Sequence, residues 1–149
     1  MSLNLFSVNV VGEALTANTV ETVLQVAASA SKAIEVVRWS VSFNGVSASD
    51  APVRVELLRV TSAGTSSAFT PVKLDPATTP ALATARTAHT AEPTVGDIIE
   101  PYQVTPYGGL LLVQYAPDER PKVEANGRIG IRCLAAAGVN VTAHLVFAE

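Results

Sequence analysis

Residues 34–44 read Ile34-Glu35-Val36-Val37-Arg38-Trp39-Ser40-Val41-Ser42-Phe43-Asn44, and this stretch decides the fold class. Val37, Trp39, Val41 and Phe43 alternate with Arg38, Ser40, Ser42 and Asn44. A period of two sends one set to each face of a sheet, so the segment is a half-buried β-strand with Trp39 in the core. It ends at Asn44-Gly45, a dipeptide that tolerates the positive φ angles of tight turns.

Downstream, Val53 to Val60 alternates over its first half and loses phase at Leu57-Leu58, which predicts a bulge or burial on both faces. Near the C-terminal end Ile129, Ile131 and Cys133 share a face. After Ala136-Ala137-Gly138, so do Val139, Val141, Ala143, Leu145 and Phe147. These two runs are expected to form an antiparallel pair. Weaker strands are expected at Phe6–Val11, Val20–Ala28, Val72–Leu74, Thr84–His89, Ile98–Val104 and Leu110–Tyr115, each bounded by Gly, Pro, Ser or Asn. Gly108-Gly109 marks a turn into the last of these, read as buried. The alanines of 27–37 favour a helix, but Ser29, Ser31 and the β-branched residues after Ala33 favour a loop entering a strand.

Six of the nine prolines (Pro71, Pro76, Pro80, Pro93, Pro101 and Pro106) fall between Phe69 and Tyr107. Proline cannot donate to a sheet ladder, so this third of the chain is expected to be extended, irregular and exposed. Ordering such a stretch costs entropy that some contact must offset, which makes it a candidate interface. Its candidate contact residues are Pro71, Pro76, Pro93, Tyr102 and Tyr107, the tyrosines supplying rigid contact area.

The expected fold is an all-β, jelly-roll-like antiparallel sandwich of roughly eight to ten short strands, with a simple barrel as the alternative. Residues 1–149 form one domain, within which 1–19 are either a core strand or an N-terminal arm. At 149 residues, 48% of them apolar and 15% charged, the chain is long enough and hydrophobic enough for a real core. The stretch from Leu134 to Ala148 is interrupted by Gly138, Asn140, Thr142 and His144 and is shorter than the ~20 residues a bilayer span requires, so no membrane partner is expected. No basic residue precedes Lys32, which points to cytoplasmic synthesis. The net charge is −3 and the basic residues are scattered singly, unlike the basic stripe of a nucleic-acid binder.

Motifs for catalysis are lacking. Cys133 is the sole cysteine and lies on an apolar strand face, where a thiol is a small hydrophobe. His89 and His144 form no metal-binding spacing, and His144 shares a side with Asn140 and Thr142. Ser62-Ala63-Gly64-Thr65-Ser66-Ser67 reads as a turn with no nucleophile elbow. Glu92, Asp97 and Glu100 match no calcium loop, and Asn140-Val141-Thr142, though a glycosylation triplet, lies within a strand. No enzyme activity, cofactor or metal is expected.

Val37 to Val46, then Val53 to Arg59 with Thr61-Ser62-Ala63-Gly64-Thr65, resembles a group of small proteins of tailed bacteriophages. The similarity continues through Thr70 to Pro76, Glu92-Pro93-Thr94 and Thr105 to Leu110, and spans residues 34–147. It is a similarity of general pattern. The group consists of head decoration (cement) proteins and minor virion proteins with jelly-roll folds. The resemblance therefore implies a structural protein on the outer capsid surface, a homotrimer, with the major capsid protein as partner. A carbohydrate- or receptor-binding module of a tail or fibre is the alternative, and the placement of Trp39 in the core argues against it.

Overall fold

The computed structural model describes residues 3–149. Twelve strands follow in chain order: β1 (Leu5–Leu15), β2 (Val20–Ala27), β3 (Ile34–Phe43), β4 (Val53–Val60), β5 (Thr65–Phe69), β6 (Val72–Lys73), β7 (Thr84–Ala91), β8 (Val95–Val104), β9 (Leu110–Gln114), β10 (Lys122–Val123), β11 (Arg128–Leu134) and β12 (Val139–Ala148). The one helical element among the described residues is a 3-10 turn at Pro117–Glu119. None of their helices is long and apolar enough to cross a membrane.

The strands make two six-stranded sheets. In the first the order is β10-β3-β12-β1-β6, with β9 lying beside β10 along the same edge of β3. In the second it is β5-β7-β2-β11-β4-β8. Without the short β5, β6, β10 and the added β7, the sheets reduce to β9-β3-β12-β1 facing β2-β11-β4-β8. Successive long strands alternate between sheets, except that β4 and β8 are neighbours in the second sheet; this is the double-sheet arrangement of a jelly roll. The count exceeds the expected eight to ten because the link from β4 to β8 adds strands at both edges.

Alternation in β3 works as its sequence predicts from Trp39 onward, but Val36 and not Val37 takes the inward position before it. Val36, Trp39, Val41 and Phe43 are buried, whereas Ser40 and Ser42 face out; a register shift between Val146 and Phe147 opposite Arg38 and Val36 accommodates Val37. Trp39 has no exposed surface, and its indole N–H donates to the Tyr115 hydroxyl at 3.0 Å. Phe6 and Phe147 stack at 5.5 Å between ring centres, joining β1 to β12 in the core. Leu57 and Leu58 are both fully buried beside a register shift with β8, so the lost phase reflects both a bulge and two-sided burial.

Two expectations are corrected and one alternative is decided. β11 and β12 do not pair: β11 lies between β2 and β4, and β12 between β1 and β3. Their matching apolar faces meet across the core from opposite sheets, and Ala135 to Gly138 crosses the sandwich end. Of the two readings of the N-terminal segment the core strand is the one seen, because Leu5–Leu15 is flanked by β12 and β6 and buries Phe6, Val8, Val10 and Leu15; residues 1 and 2 lie outside the described residues. The proline-rich third is more regular than its composition suggests. It contains β7, which is free of proline, and the edge strand β8, where Pro101 sits opposite Glu56 at a sheet margin that tolerates a missing donor.

Trp39→Ala should lower stability by about 3–5 kcal/mol through the cavity it leaves. Tyr115→Phe should cost about 1–3 kcal/mol by stranding the buried indole N–H. Urea unfolding followed by far-UV circular dichroism checks this order.

Candidate functional site

The two outer faces of the sandwich differ. The link from β7 to β8 must pass from one side of the second sheet to the other, since β2, β11 and β4 lie between them. β7 leaves β2 after Thr87 while its end, Ala91, still pairs with Thr65 of β5. Four strand spacings make about 19 Å and residues 88–94, the strap, reach about 23 Å fully extended, so it has little slack. It lies against outward-facing polar groups of β2. The Glu92 carboxylate accepts from the Thr22 N–H at 2.9 Å and from the Thr22 hydroxyl at 2.5 Å. Gln25 lies 3.2 Å from His89. Thr22 and Gln25 are thereby buried on the outside of the sheet, and Leu58, in the same row as Gln25, is buried beside them. Beside them the nearly buried Glu56 accepts from Arg132 at 2.5 and 2.8 Å and is approached by Arg54 at 3.1 Å. Gly64, at φ +64°, permits close packing here, since a Cβ would lie 2.4 Å from the Ala91 carbonyl oxygen.

On the outer face of the first sheet Ser7, Val146 and Ala148 are buried towards one end, but the rows at Leu110 and Leu112 have no such cover. Its pairing places Leu110, Ser42 and Thr142 in one row, and Leu112, Ser40, His144 and Asn9 in the next. Leu110 is 69% exposed and Leu112 62%, with Val11 beyond them at the β1 bulge. Burial, and after it the Arg38 guanidinium, holds the His144 ring below its ordinary value of 6.5, so it is neutral at pH 7. These two rows therefore carry no charge; Arg38 begins the next row, opposite Gln114 and Val146. Tyr107 and Val46 extend the surface at one corner, where Tyr107 bridges to Gly45 and Phe43 N–H donates to the Gly109 carbonyl at 3.1 Å. Gly45 allows this approach, because a Cβ there would lie 2.4 Å from the Pro106 carbonyl oxygen.

The five expected contact residues do not converge. Pro71 precedes β6 and Pro76 lies in the turn where Ala77 N–H donates to Asp75 at 2.9 Å, both beside the β6 edge. Tyr102 is on the β8 edge, its ring centre 6.0 Å from that of Trp39 and its hydroxyl donating to Glu100 at 3.1 Å. Tyr107 is at the exposed corner. Pro93 is buried in the strap and withdrawn from the surface. The strand read as buried after Gly108-Gly109 is only half so: Leu111 and Val113 pack on the core, while Leu110 and Leu112 face out. A run of four apolar residues hid this; the signal lay in the uncharged outward positions of its neighbours, Ser40, Ser42, Thr142 and His144.

Groups with chemical potential are engaged or shielded. Burial pushes the Cys133 thiol well above its usual range, assisted by the Glu13, Glu21 and Glu56 carboxylates. Glu92 bonds Thr22, Glu100 bonds Tyr102, and Asp97 stays exposed on β8, so the three acids do not act together. Asn140, in β12, donates its N–H to the Asn44 side chain at 3.1 Å. Among the described residues no group of three His, Cys, Asp or Glu side chains is placed to hold a metal ion. No protein-family model matches the chain, and no curated protein matches it.

Glu13 is the most perturbed acid. Burial first, then the Glu21 and Glu92 carboxylates, raise it from 4.5 to about 7. The folded state thus holds a proton that the unfolded chain releases, so this group's contribution declines as pH rises from 4.5 to about 7. Glu13→Gln should be more stable than the parent at pH above 7, by about 1 kcal/mol or roughly 3 °C. The advantage should shrink towards pH 5, as thermal melts across that range will show.

Proposed function

We propose that this protein is a structural docking module that binds the outer surface of a phage capsid through the bare face of its first sheet and so reinforces the head. The observation that carries the reading is the asymmetry between faces: one covered by its own strap, the other bare and uncharged over two rows in which Leu110 and Leu112 are exposed. Large exposed apolar residues among small, uncharged ones suit a surface that is covered in an assembly, because desolvating them costs little. The sequence resemblance to phage decoration proteins supplies the capsid as partner and a homotrimer as the assembled form. Several copies of a modest contact in one oligomer give avidity that a single patch lacks. The protein acts without catalysis and without a cofactor, and resides on the virion.

A carbohydrate-binding role is disfavoured by the complete burial of Trp39. The test is the copy number of the chain relative to the major capsid protein in gradient-purified particles from its source, by quantitative mass spectrometry. A ratio of the same order is expected; a few copies per particle, or none, overturns the decoration role. Leu110→Asp with Leu112→Asp should reduce binding to purified capsid shells by at least about tenfold while leaving the melting temperature within about 3 °C, since both side chains face solvent.

A further inference from the structure

The strap over the second sheet is held by a hydrogen-bond chain whose polarity is fixed. The Gln25 side-chain nitrogen lies 3.0 Å from the Ala63 carbonyl oxygen and 3.2 Å from His89 Nε2. A carbonyl can only accept, so the Gln25 amide cannot turn around without setting oxygen against oxygen. Its NH2 therefore also donates to His89, and Nε2 must present a lone pair. The imidazole is neutral, with its proton on Nδ1, an atom that is buried and has no hydrogen-bond partner.

We propose that this chain makes the strap an acid-released latch: a proton added at His89 Nε2 sets an N–H against the Gln25 NH2, breaks the link, and uncovers the outer face of the second sheet. Gln25 cannot adapt by flipping, because Ala63 holds it. The opening is local, since the strap crosses a sheet whose ladders are intact beneath it. What it uncovers is Gln25 and Thr22, which are buried on that face beneath the strap.

The groups around His89 set the pH of release. Burial is the largest influence and disfavours the charged ring, as does Arg86 from β7. Glu92 on the strap and the Thr22 backbone from β2 favour the charged ring, and the net effect holds His89 below 6.5. Glu13 from β1 and Glu21 from β2 belong to the same carboxylate group as Glu92. For a histidine lowered on folding, the stabilising contribution is present above 6.5 and is lost as pH falls from there through the folded-state value. The latch is thus closed at neutral pH and opens in acid. Glu92 still tethers the strap to Thr22, and Thr94 ties its far end to Thr61 and Ser62, so release begins at the His89 end.

Hydrogen exchange read by mass spectrometry, corrected for intrinsic rates, tests this at pH about 7.5 and about 5. Peptides spanning residues 88–94 should lose protection by about tenfold or more at the lower pH while β11 keeps its protection. In His89→Gln, whose amide oxygen accepts from Gln25 at either pH, the strap should stay protected. Unchanged strap protection in the parent chain, an equal loss in His89→Gln, or a loss shared by β11 would overturn the latch. Should His89→Gln fail to fold, the nitrogen shifts of His89 in the parent chain decide: a protonated Nδ1 and bare Nε2 at pH 7.5 are expected, and the opposite tautomer overturns the proposal.

Discussion

With the one exception of β4 and β8, which pair in the second sheet, each long jelly-roll strand of this sandwich hands the chain to the opposite sheet and is not hydrogen-bonded to the long strand next to it in sequence. The constraint shapes the rest. Beyond the β4–β8 and β5–β7 pairs the sheets have little local support, and β1, β3 and β12 depend on pairing between residues about a hundred or more positions apart. Closing loops of that length costs chain entropy before any contact is gained, and such topologies fold slowly. The compensation is a continuous interior. Phe6 on β1, Trp39 on β3 and Phe147 on β12 are fully buried in one cluster with Ile129 and Ile131 from the facing sheet.

This topology explains which features could be read in the sequence. Alternation reports which side chains face inward, and it identified β3, β4, β11 and β12 because their inward positions carry Trp39, Leu57, Ile131 and Leu145. It says nothing about which strand lies alongside. The β11 and β12 runs look like hairpin partners because both have apolar faces; those faces meet through the core and not along a ladder. Proline gave a warning about β8 that an edge position made harmless. β1 passed for a possible arm because its two ladder partners, β12 and β6, lie far away in sequence and leave no local sign.

The site was less legible than the fold, for a physical reason. Tyrosine and proline are visible as residue types, whereas an uncharged face is a property of three strands read side by side. Ser42 and Thr142 are separated by a hundred residues, and only their register places them beside Leu110. The covered face was equally hidden: Gln25, Thr22 and Glu56 look like solvent-facing residues of ordinary strands until the strap and the Arg132 guanidinium account for their burial.

The reach of the strap carries a consequence for how this chain can vary. Residues 88–94 span a distance close to their extended limit, so removing two of them would force β7 or β8 to surrender ladder bonds. Adding residues would cost only the slowly growing entropy of a longer loop. Length change in this segment is therefore a one-way door, open to insertion and closed to deletion. New material would emerge on the face opposite the bare sheet, the one place where the molecule can acquire a second surface without disturbing the first.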